Sequence, residues 1–467
     1  MEGEIRLGDV AKVQGGFAFK SKDFELVGTP VVKIKNVRKR DVDLTEVDCV
    51  SEDVARRCSN FYVRKGDVLI SMTGSGPNAP ASIVGRVARH TGEDADFLIN
   101  QRVGRIVNKD TQKLDLRYLY YFLSQFTVQD YLVSIATGSA NQVNISAAQI
   151  ESLNVPLPVL DIQKAIAHIL GTLDDKIELN RQMNATLEAM AQALFKSWFV
   201  DFDPVIDNAL AAGNTIPEPL QAKAEVRAAL GDKRKPLPEE IQKQFPSSFV
   251  FSEEIGWIPE GWEVKQAQDV ATITIGKTPP RKETHWFSEK REGNLVWVSI
   301  RDMGNSGVFI NDSSEYLVPE SVSKYNVKVI PKGSVLLSFK LTLGRVAIAE
   351  SELTTNEAIA HFVSPKLGLN KGYIYCYLSS FDFGCLGSTS SIATAVNSKL
   401  IKAMPFIVPN KDSLRSFEKT ATEWFSRMAL LDYQTDSLIS LRNTLLPKLL
   451  SGELRIPDAE KLVADSV

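Results

Sequence analysis

The sequence predicts an α+β protein in which one mixed α/β domain occurs twice, each copy followed by a long helix. Three observations predict this: short motifs that recur in the same order, β-rich runs punctuated by Gly, Asn and Asp, and two stretches of heptad periodicity. Lys65-Gly66-Asp67-Val68-Leu69-Ile70-Ser71 returns as Lys332-Gly333-Ser334-Val335-Leu336-Leu337-Ser338. Gly85-Arg86-Val87-Ala88 returns as Gly344-Arg345-Val346-Ala347, Asn100-Gln101 as Asn356-Glu357, and Tyr118-Leu119-Tyr120 as Tyr373-Ile374-Tyr375. The copies are too long for solenoid repeats. A duplicated and fused domain is expected to have near-twofold internal symmetry, which lets one chain hold two unlike objects at a fixed separation.

Residues 1–158 form the first domain. Pro30-Val31-Val32-Lys33-Ile34-Lys35 and Asp67-Val68-Leu69-Ile70 read as strands, and Leu116–Leu123 as a buried helix. Strands outnumber helices and regular β-α alternation is missing, so a doubly wound sheet is not expected. After Pro156-Leu157-Pro158 the period changes. Asp161 is a plausible N-cap, and the run to about Phe199 has no proline and only Gly171 as a breaker. Ile166, Leu173, Asn180, Leu187 and Leu194 make one heptad series; Leu170, Ile177, Asn184, Ala191 and Trp198 make the other. A polar layer at Asn180 and Asn184 interrupts them. About 39 residues at ~1.5 Å each give a rod of roughly 60 Å.

Residues 201–255 carry Asp203-Pro204, Pro217-Glu218-Pro219 and Lys233-Arg234-Lys235-Pro236, and read as an adaptable connector with a short Ala-rich helix near Leu220–Leu230. The second domain covers 256–410. A second rod spans 411–467 with its C-terminal tail, and Phe417, Trp424, Leu431, Leu438 and Leu445 repeat the first heptad series, with Ala421, Met428 and Thr435 tracking the second. Pro447 is expected to kink or end this helix. Two helices with one apolar seam each should pack antiparallel, as in an isologous dimer. Ile166, Leu173, Ile177, Leu187, Leu194, Trp424, Met428, Leu431, Leu438 and Leu445 are the expected seam.

A formal net charge of −3 argues against non-specific nucleic-acid binding by the whole surface and leaves local basic patches open. No apolar run reaches the ~20 residues of a membrane span, and the acidic Met1-Glu2-Gly3-Glu4 has no signal-peptide core, so a cytoplasmic location is the default. Cys49, Cys58, Cys376 and Cys385 form no Cys-x-x-Cys pair and have no histidine at zinc spacing. They read as buried structural thiols, and no metal site is expected.

Catalytic motifs are missing. Ala271-Thr272-Ile273-Thr274-Ile275-Gly276-Lys277-Thr278 ends like a phosphate loop. However, Ala271 replaces the first glycine, and Pro279-Pro280 follow where a helix must begin. Thr278-Pro279-Pro280 lacks the flanking residues of an adenine-methylating motif, and no nucleophile elbow, His-Glu-x-x-His helix or calcium loop occurs. The chain is not expected to be an enzyme. What remains are polar clusters in matching loops, each taken alone more often a solvated face: Arg and Lys can pair phosphates or guanine edges, and Asn and Gln can pair adenine. The candidates are Lys33, Lys35, Asn36, Arg38, Lys39, Arg40, Arg86, Arg102, Asn141 and Gln142 in the first copy. In the second they are Lys277, Arg281, Lys282, Arg301, Lys340 and Arg345. Asn100-Gln101 and Asn356-Glu357 read instead as structural turns. A duplicated protein-interaction scaffold without DNA specificity is the competing reading.

Several stretches resemble the specificity subunit of type I restriction–modification enzymes. Pro156-Leu157-Pro158-Val159-Leu160-Asp161-Ile162-Gln163, Leu173-Asp174-Asp175-Lys176-Ile177-Glu178-Leu179-Asn180 and the run Thr186 to Pro204 look like that family's central conserved region. Gly256-Trp257-Ile258-Pro259-Glu260-Gly261-Trp262 looks like the entry to its second recognition domain. Leu445-Leu446-Pro447-Lys448-Leu449-Leu450-Ser451-Gly452-Glu453-Leu454 looks like its distal conserved ending. The resemblance implies two target-recognition domains that each read half of a split, asymmetric double-stranded DNA sequence. It implies helices that fix the gap and dock methyltransferase subunits, commonly two, joined in some complexes by ATP-dependent restriction subunits. No cofactor is then expected in this chain; S-adenosylmethionine, ATP and magnesium belong to the partners. The rod length bounds the gap at about 17 base pairs of ~3.4 Å each.

Overall fold

The computed structural model describes residues 4–38, 41–75, 83–92, 97–139, 142–231, 237–386 and 396–466. It divides into two units, one of residues 1–178 with 435–467 and one of 179–434. The long helices are therefore shared out, each contributing one part to each unit.

In the first unit, Lys65-Gly66 turns the chain into the strand Val68–Ser71, with Gly66 at a φ of 89°. Its side chains alternate between two cores: Val68 and Ile70 lie in the larger one, Leu69 in the smaller. Burial on both faces is why the strand is an unbroken apolar run rather than an alternating one. It sits in an antiparallel sheet ordered Ala11–Gly15, Val103–Asn108, Val68–Ser71, Val87–Arg89. A second sheet runs Phe24–Glu25, Asp48–Val50, Thr29–Val32, Leu98–Ile99, with the last pair parallel.

The second unit repeats this plan strand for strand. Its main sheet runs Thr272–Ile275, Ile359–Val363, Val335–Ser338, Val346–Ala349, and gains Phe309–Ile310 at the edge. Its smaller sheet runs Phe287–Ser288, Tyr316–Leu317, Leu295–Val298, Thr354–Thr355, again with the last pair parallel. Val335 and Leu337 face one core while Leu336 faces another, and Gly333 has a φ of 87°. Even the tyrosine helix is equivalent. Asp115 caps Leu116–Leu123 and Asn370 caps Lys371–Ser380; Tyr118 then donates to Pro156 O, and Tyr373 to Ile407 O. The internal repeat and the α+β class are borne out.

The first long helix runs Leu160–Phe195 and continues as one π-helical stretch, Lys196–Val200. It starts one residue before Asp161, which lies in the first turn where its charge favours the helix dipole. Gly171 does not break it. A Cβ there would fall 1.7 Å from the Arg117 guanidinium, so the glycine makes room for that side chain. In the first unit, Ile166, Leu170, Leu173 and Ile177 share a core with Leu438, Leu445 and Leu449 of the second long helix, Lys411–Leu450. In the second unit, Ala191, Phe195 and Trp198 share a core with Phe417, Ala421 and Met428. Asn184 meets Asp432 while Phe195 meets Phe417, so the helices run antiparallel there. Leu431 is buried; Leu187, Leu194 and Trp424 are part-buried against the core.

One expectation narrows and two need correcting. Of the two outcomes expected at Pro447, a kink or an end, the end is ruled out, since the helix continues to Leu450. The proline lacks the N–H that would bond to Asn443 O and its ring crowds that carbonyl, but Leu445 and Leu449 stay packed on either side of it. Asp203-Pro204 opens a helix, Asp203–Ala212, rather than a linker, because proline suits the first helical turn. Glu218–Leu230 packs beside it, tied by Arg227 to Asp203 at 2.9 Å and Asp207 at 2.6 Å. The thiols are also not uniformly buried: Cys58 and Cys376 are, Cys49 is intermediate and Cys385 exposed.

Candidate nucleic-acid interface

The strand register gathers the basic loops at one end of each unit. In the second unit Ile275 pairs with Ala360 and Ser338 with Ile359. The loop after Thr272–Ile275, the loop after Val335–Ser338 and the turn before Ile359–Val363 therefore emerge together. Trp297–Val298 runs parallel to Thr354–Thr355, which brings the turn after Val298 to the same end. Lys277, Arg301, Lys340 and Arg345 thus lie on segments that emerge at one end although far apart in the chain. The first unit does the same with the segments after Gly15, Val32, Ser71 and Ile99. The hairpin of Thr137–Ser139 and Gln142–Asn144 joins them by pairing Val143 with Gly74.

Gly16 and Gly276 make this convergence possible. A Cβ on Gly16 would lie 2.3 Å from Ile99 O, and one on Gly276 2.1 Å from Asn356 O, so only glycine lets these backbones meet. The asparagines there are turn-formers: Asn100 Oδ1 accepts from Arg102 N at 3.4 Å, and Asn356 Oδ1 from Ala358 N at 3.0 Å. No helix starts after Gly276-Lys277-Thr278; the next helical turn is the short Thr284–Trp286.

The candidates separate into braces and open donors. Asn36 is buried, and its amide accepts from Lys33 N at 3.0 Å while donating to Asp43 O and Glu46 O. It occupies the place of Asp302, which accepts from Ser299 N and from the Ser314 hydroxyl. Burial alone would raise the Asp302 pKa, but the Ser299 and Ser314 hydrogen bonds outweigh it and hold the carboxyl below its usual value. Arg86 donates to Ile34 O at 3.2 Å and Arg345 to Ile300 O at 2.6 Å, equivalent tethers between equivalent loops. Burial first, then the Arg38 charge, lowers the Arg86 pKa. Arg281 stacks over Phe287 and Trp297 and pairs Glu315 through both carboxylate oxygens. Lys33 lies 2.8 Å from Asp48 and over the Phe24 ring. In these groups polar atoms are engaged within the domain itself, although Arg86 Nε is buried without a hydrogen-bond partner.

The open donors are Lys35, Arg102 and Gln142 in the first unit and Lys277, Lys282, Arg301 and Lys340 in the second, all exposed. Arg38 is exposed too, with one contact of 3.3 Å to Asp43. Lys35 and Arg301 hold equivalent turn positions, each just before the bracing Asn36 or Asp302. Lys39, Arg40 and Asn141 lie outside the described residues. Sequence reasoning separated neither braces from donors nor buried from exposed polar groups, because the separation depends on hydrogen bonds within folded loops. The alignment of Lys33–Asn36 with Ser299–Asp302 carried the one available signal: a capping residue three positions into the turn.

His361 also went unread. Its Nδ1 lies 2.8 Å from Thr274 Oγ1 and its Nε2 2.7 Å from Thr355 Oγ1. Thr355 donates to Asn356 O, so it accepts from Nε2–H, and Nδ1 accepts from Thr274. Burial lowers its pKa to about 4. Its equivalent in the first unit is Arg105, bonded to Gln14 Oε1 at 2.7 Å. Both are interior braces. Among the described residues, no group of His, Cys, Asp or Glu could hold a metal ion.

The chain thus carries two copies of one domain, each with a polar loop end, and two long helices whose apolar faces pack together within each unit. Residues 2–189 and 259–414 match the Type I restriction modification DNA specificity domain. The chain belongs to that family and is a non-catalytic specificity subunit of a type I restriction–modification system. It is 28% identical over 418 residues to the HindI specificity subunit of Haemophilus influenzae, covering 84% of this chain and 87% of that one. The MjaIX specificity subunit of Methanocaldococcus jannaschii is 25% identical, covering 98% of both. A solved S subunit from M. genitalium covers 96% of this chain and 95% of its own at 15% identity, with a TM-score of 0.49. No helix among the described residues is long and apolar enough to cross a membrane.

Proposed function

We propose that each domain reads one half of a split, asymmetric double-stranded DNA target through its loop end. In this reading residues 1–158 and 256–410 are the recognition domains and 201–255 the connector. Residues 159–200 and 411–467 supply the helices that set the gap. The observation that carries it is the convergence of equivalent loops with unlike donors: Lys35, Arg38, Arg102 and Gln142 in one copy, Lys277, Lys282, Arg301 and Lys340 in the other. A common scaffold with divergent polar tips is what reading two different half-sites requires.

The long helices keep the side chains of Leu179, Met190, Leu430 and Tyr433 exposed, and in this reading methyltransferase subunits dock on these helices. Those partners supply S-adenosylmethionine chemistry, and ATP-dependent, magnesium-requiring restriction subunits join where the system cuts DNA. An adenine-methylation map of the source strain, beside one lacking this gene, tests the proposal. Loss of a single motif with two unlike halves and a fixed gap is the expected result. An unchanged map, with the methyltransferase partner expressed and bound to this chain, would leave a protein-interaction scaffold as the better account.

A further inference from the structure

The loop between Val335–Ser338 and Val346–Ala349 holds one residue in a conformation leucine rarely adopts. Leu341 has a φ of 62°, and Thr342 N donates to Lys340 O at 2.7 Å, closing a γ-turn around it. This positive-φ form is the rare and strained one, and for a bulky residue the left-handed region is a real outlier. The side chain is fully exposed. Its apolar neighbours in the loop turn inward: Phe339 is buried, and Leu343 packs against the same core.

The loop is nevertheless built to hold that shape. Ser338 Oγ donates to Thr342 O at 2.6 Å and accepts from Arg345 N at 2.9 Å, while Gly344 N donates to Ser338 O at 3.0 Å. Arg345 ties the loop to Ile300 O, beside the exposed Arg301. Gly304 makes room for that tether, since a Cβ there would lie 2.2 Å from the guanidinium. An isolated apolar side chain thus projects from a braced loop, next to the exposed Lys340, and the loop's tether reaches the segment that carries Arg301. Strain that a surrounding network maintains is a pointer to function. A lysine next to a projecting leucine, with an arginine on the tethered segment, matches a polyanion that also offers a stacked apolar interior, which is duplex DNA.

We propose that Leu341 is a wedge that inserts between base pairs of the half-site read by the second domain, unstacking one step while Lys340 and Arg301 hold the adjacent phosphates. This rests on the DNA-reading proposal and adds to it a site of deformation, so that part of the sequence preference comes from how easily one base step opens. Pyrimidine–purine steps, the most easily kinked, are the expected place.

The test uses the chain assembled with its methyltransferase partner and a duplex carrying the mapped motif, with 2-aminopurine placed singly at each position of both half-sites. Bound wild-type complex should raise the fluorescence at one step of the second domain's half-site, apart from the signal of the methylated adenine. L341A should abolish that rise and weaken binding five- to fiftyfold, with the adenine signal retained. L341G should weaken binding equally while keeping or raising the thermal midpoint, because glycine relieves the left-handed strain. Lost binding together with a gain in stability cannot come from misfolding. Specific binding by the wild type with no unstacking at any step, and full affinity in L341A, would overturn the wedge and leave DNA reading intact. Impaired assembly with the methyltransferase in L341A would overturn it in favour of a protein contact. Absence of specific binding by the wild-type complex would sink both proposals.

Discussion

At the scale of single residues, the loop ends pair a brace with a donor. Asn36 makes three hydrogen bonds inside its turn, while Lys35 beside it is exposed. Asn36→Ala should therefore lower unfolding stability by about 2 kcal/mol, since it strands buried partners, whereas Lys35→Ala should change stability by under about 0.5 kcal/mol. Lys35→Ala should instead weaken binding to the first half-site by roughly 1 kcal/mol or more. Denaturant titration and DNA titration on both variants check the pair, and a reversed pattern would refute the assignment. His361 gives a pH-dependent prediction. Its folded pKa of about 4 lies below the unfolded value near 6.5, so the unfolded chain binds more protons between those limits. The contribution of neutral His361 is complete above pH 6.5 and is lost as pH falls towards 4, at up to about 1.4 kcal/mol per pH unit. Urea melts of wild type and His361→Asn across pH 4–7 should show a shallower acid slope in the variant. Equal slopes would mean that the histidine titrates normally.

At the scale of elements, the long helices are held by polar contacts as well as by their seam. Asp174 meets Arg442 at 2.7 Å and accepts from the Tyr121 hydroxyl at 2.8 Å, with both charged side chains mostly buried. Tyr375 donates to Glu188 at 2.7 Å, so in each unit the tyrosine helix is fastened to the first long helix. Arg442→Met should cost about 2 kcal/mol, because it takes away the charge facing Asp174. A double-mutant cycle with Asp174→Asn should return a coupling of about 1–2 kcal/mol, and a value near zero would show that the pair is incidental. The seam was legible because heptad periodicity is a local signal: Ile166, Leu173, Leu438 and Leu445 are buried as the spacing requires. The tyrosine contacts were not, since nothing local links Tyr121 to Asp174 or Tyr375 to Glu188. Asp203-Pro204 was misread for a related reason: proline marks both linkers and first helical turns, and packing decides between them.

At the scale of the whole molecule, duplication was readable because it is a comparison of the sequence with itself, and the matched motifs mark structurally equivalent places. Val68–Ser71 and Val335–Ser338 are the central doubly buried strands, and Arg86 and Arg345 are the loop tethers. Donor chemistry alone made those arginines DNA candidates; it could not show that each also commits one nitrogen to a backbone carbonyl of the neighbouring loop. The helices carry the final consequence. Each passes from one unit to the other, the first between Glu178 and Leu179 and the second between Gln434 and Thr435. Seven residues inserted at both junctions add two full helical turns, so each seam keeps its face and each unit its core. The insertion lengthens the path by about 10 Å, or about three base pairs at ~3.4 Å per step. A methylation map of a strain carrying the doubly extended chain should show both half-site sequences unchanged and the gap wider by about three base pairs. The same insertion in one helix alone puts the seams out of register and should lower thermal stability and methylation together. An unchanged gap with methylation retained would mean that the helices do not set the separation, and altered half-site letters would mean that reading is not confined to the loop ends.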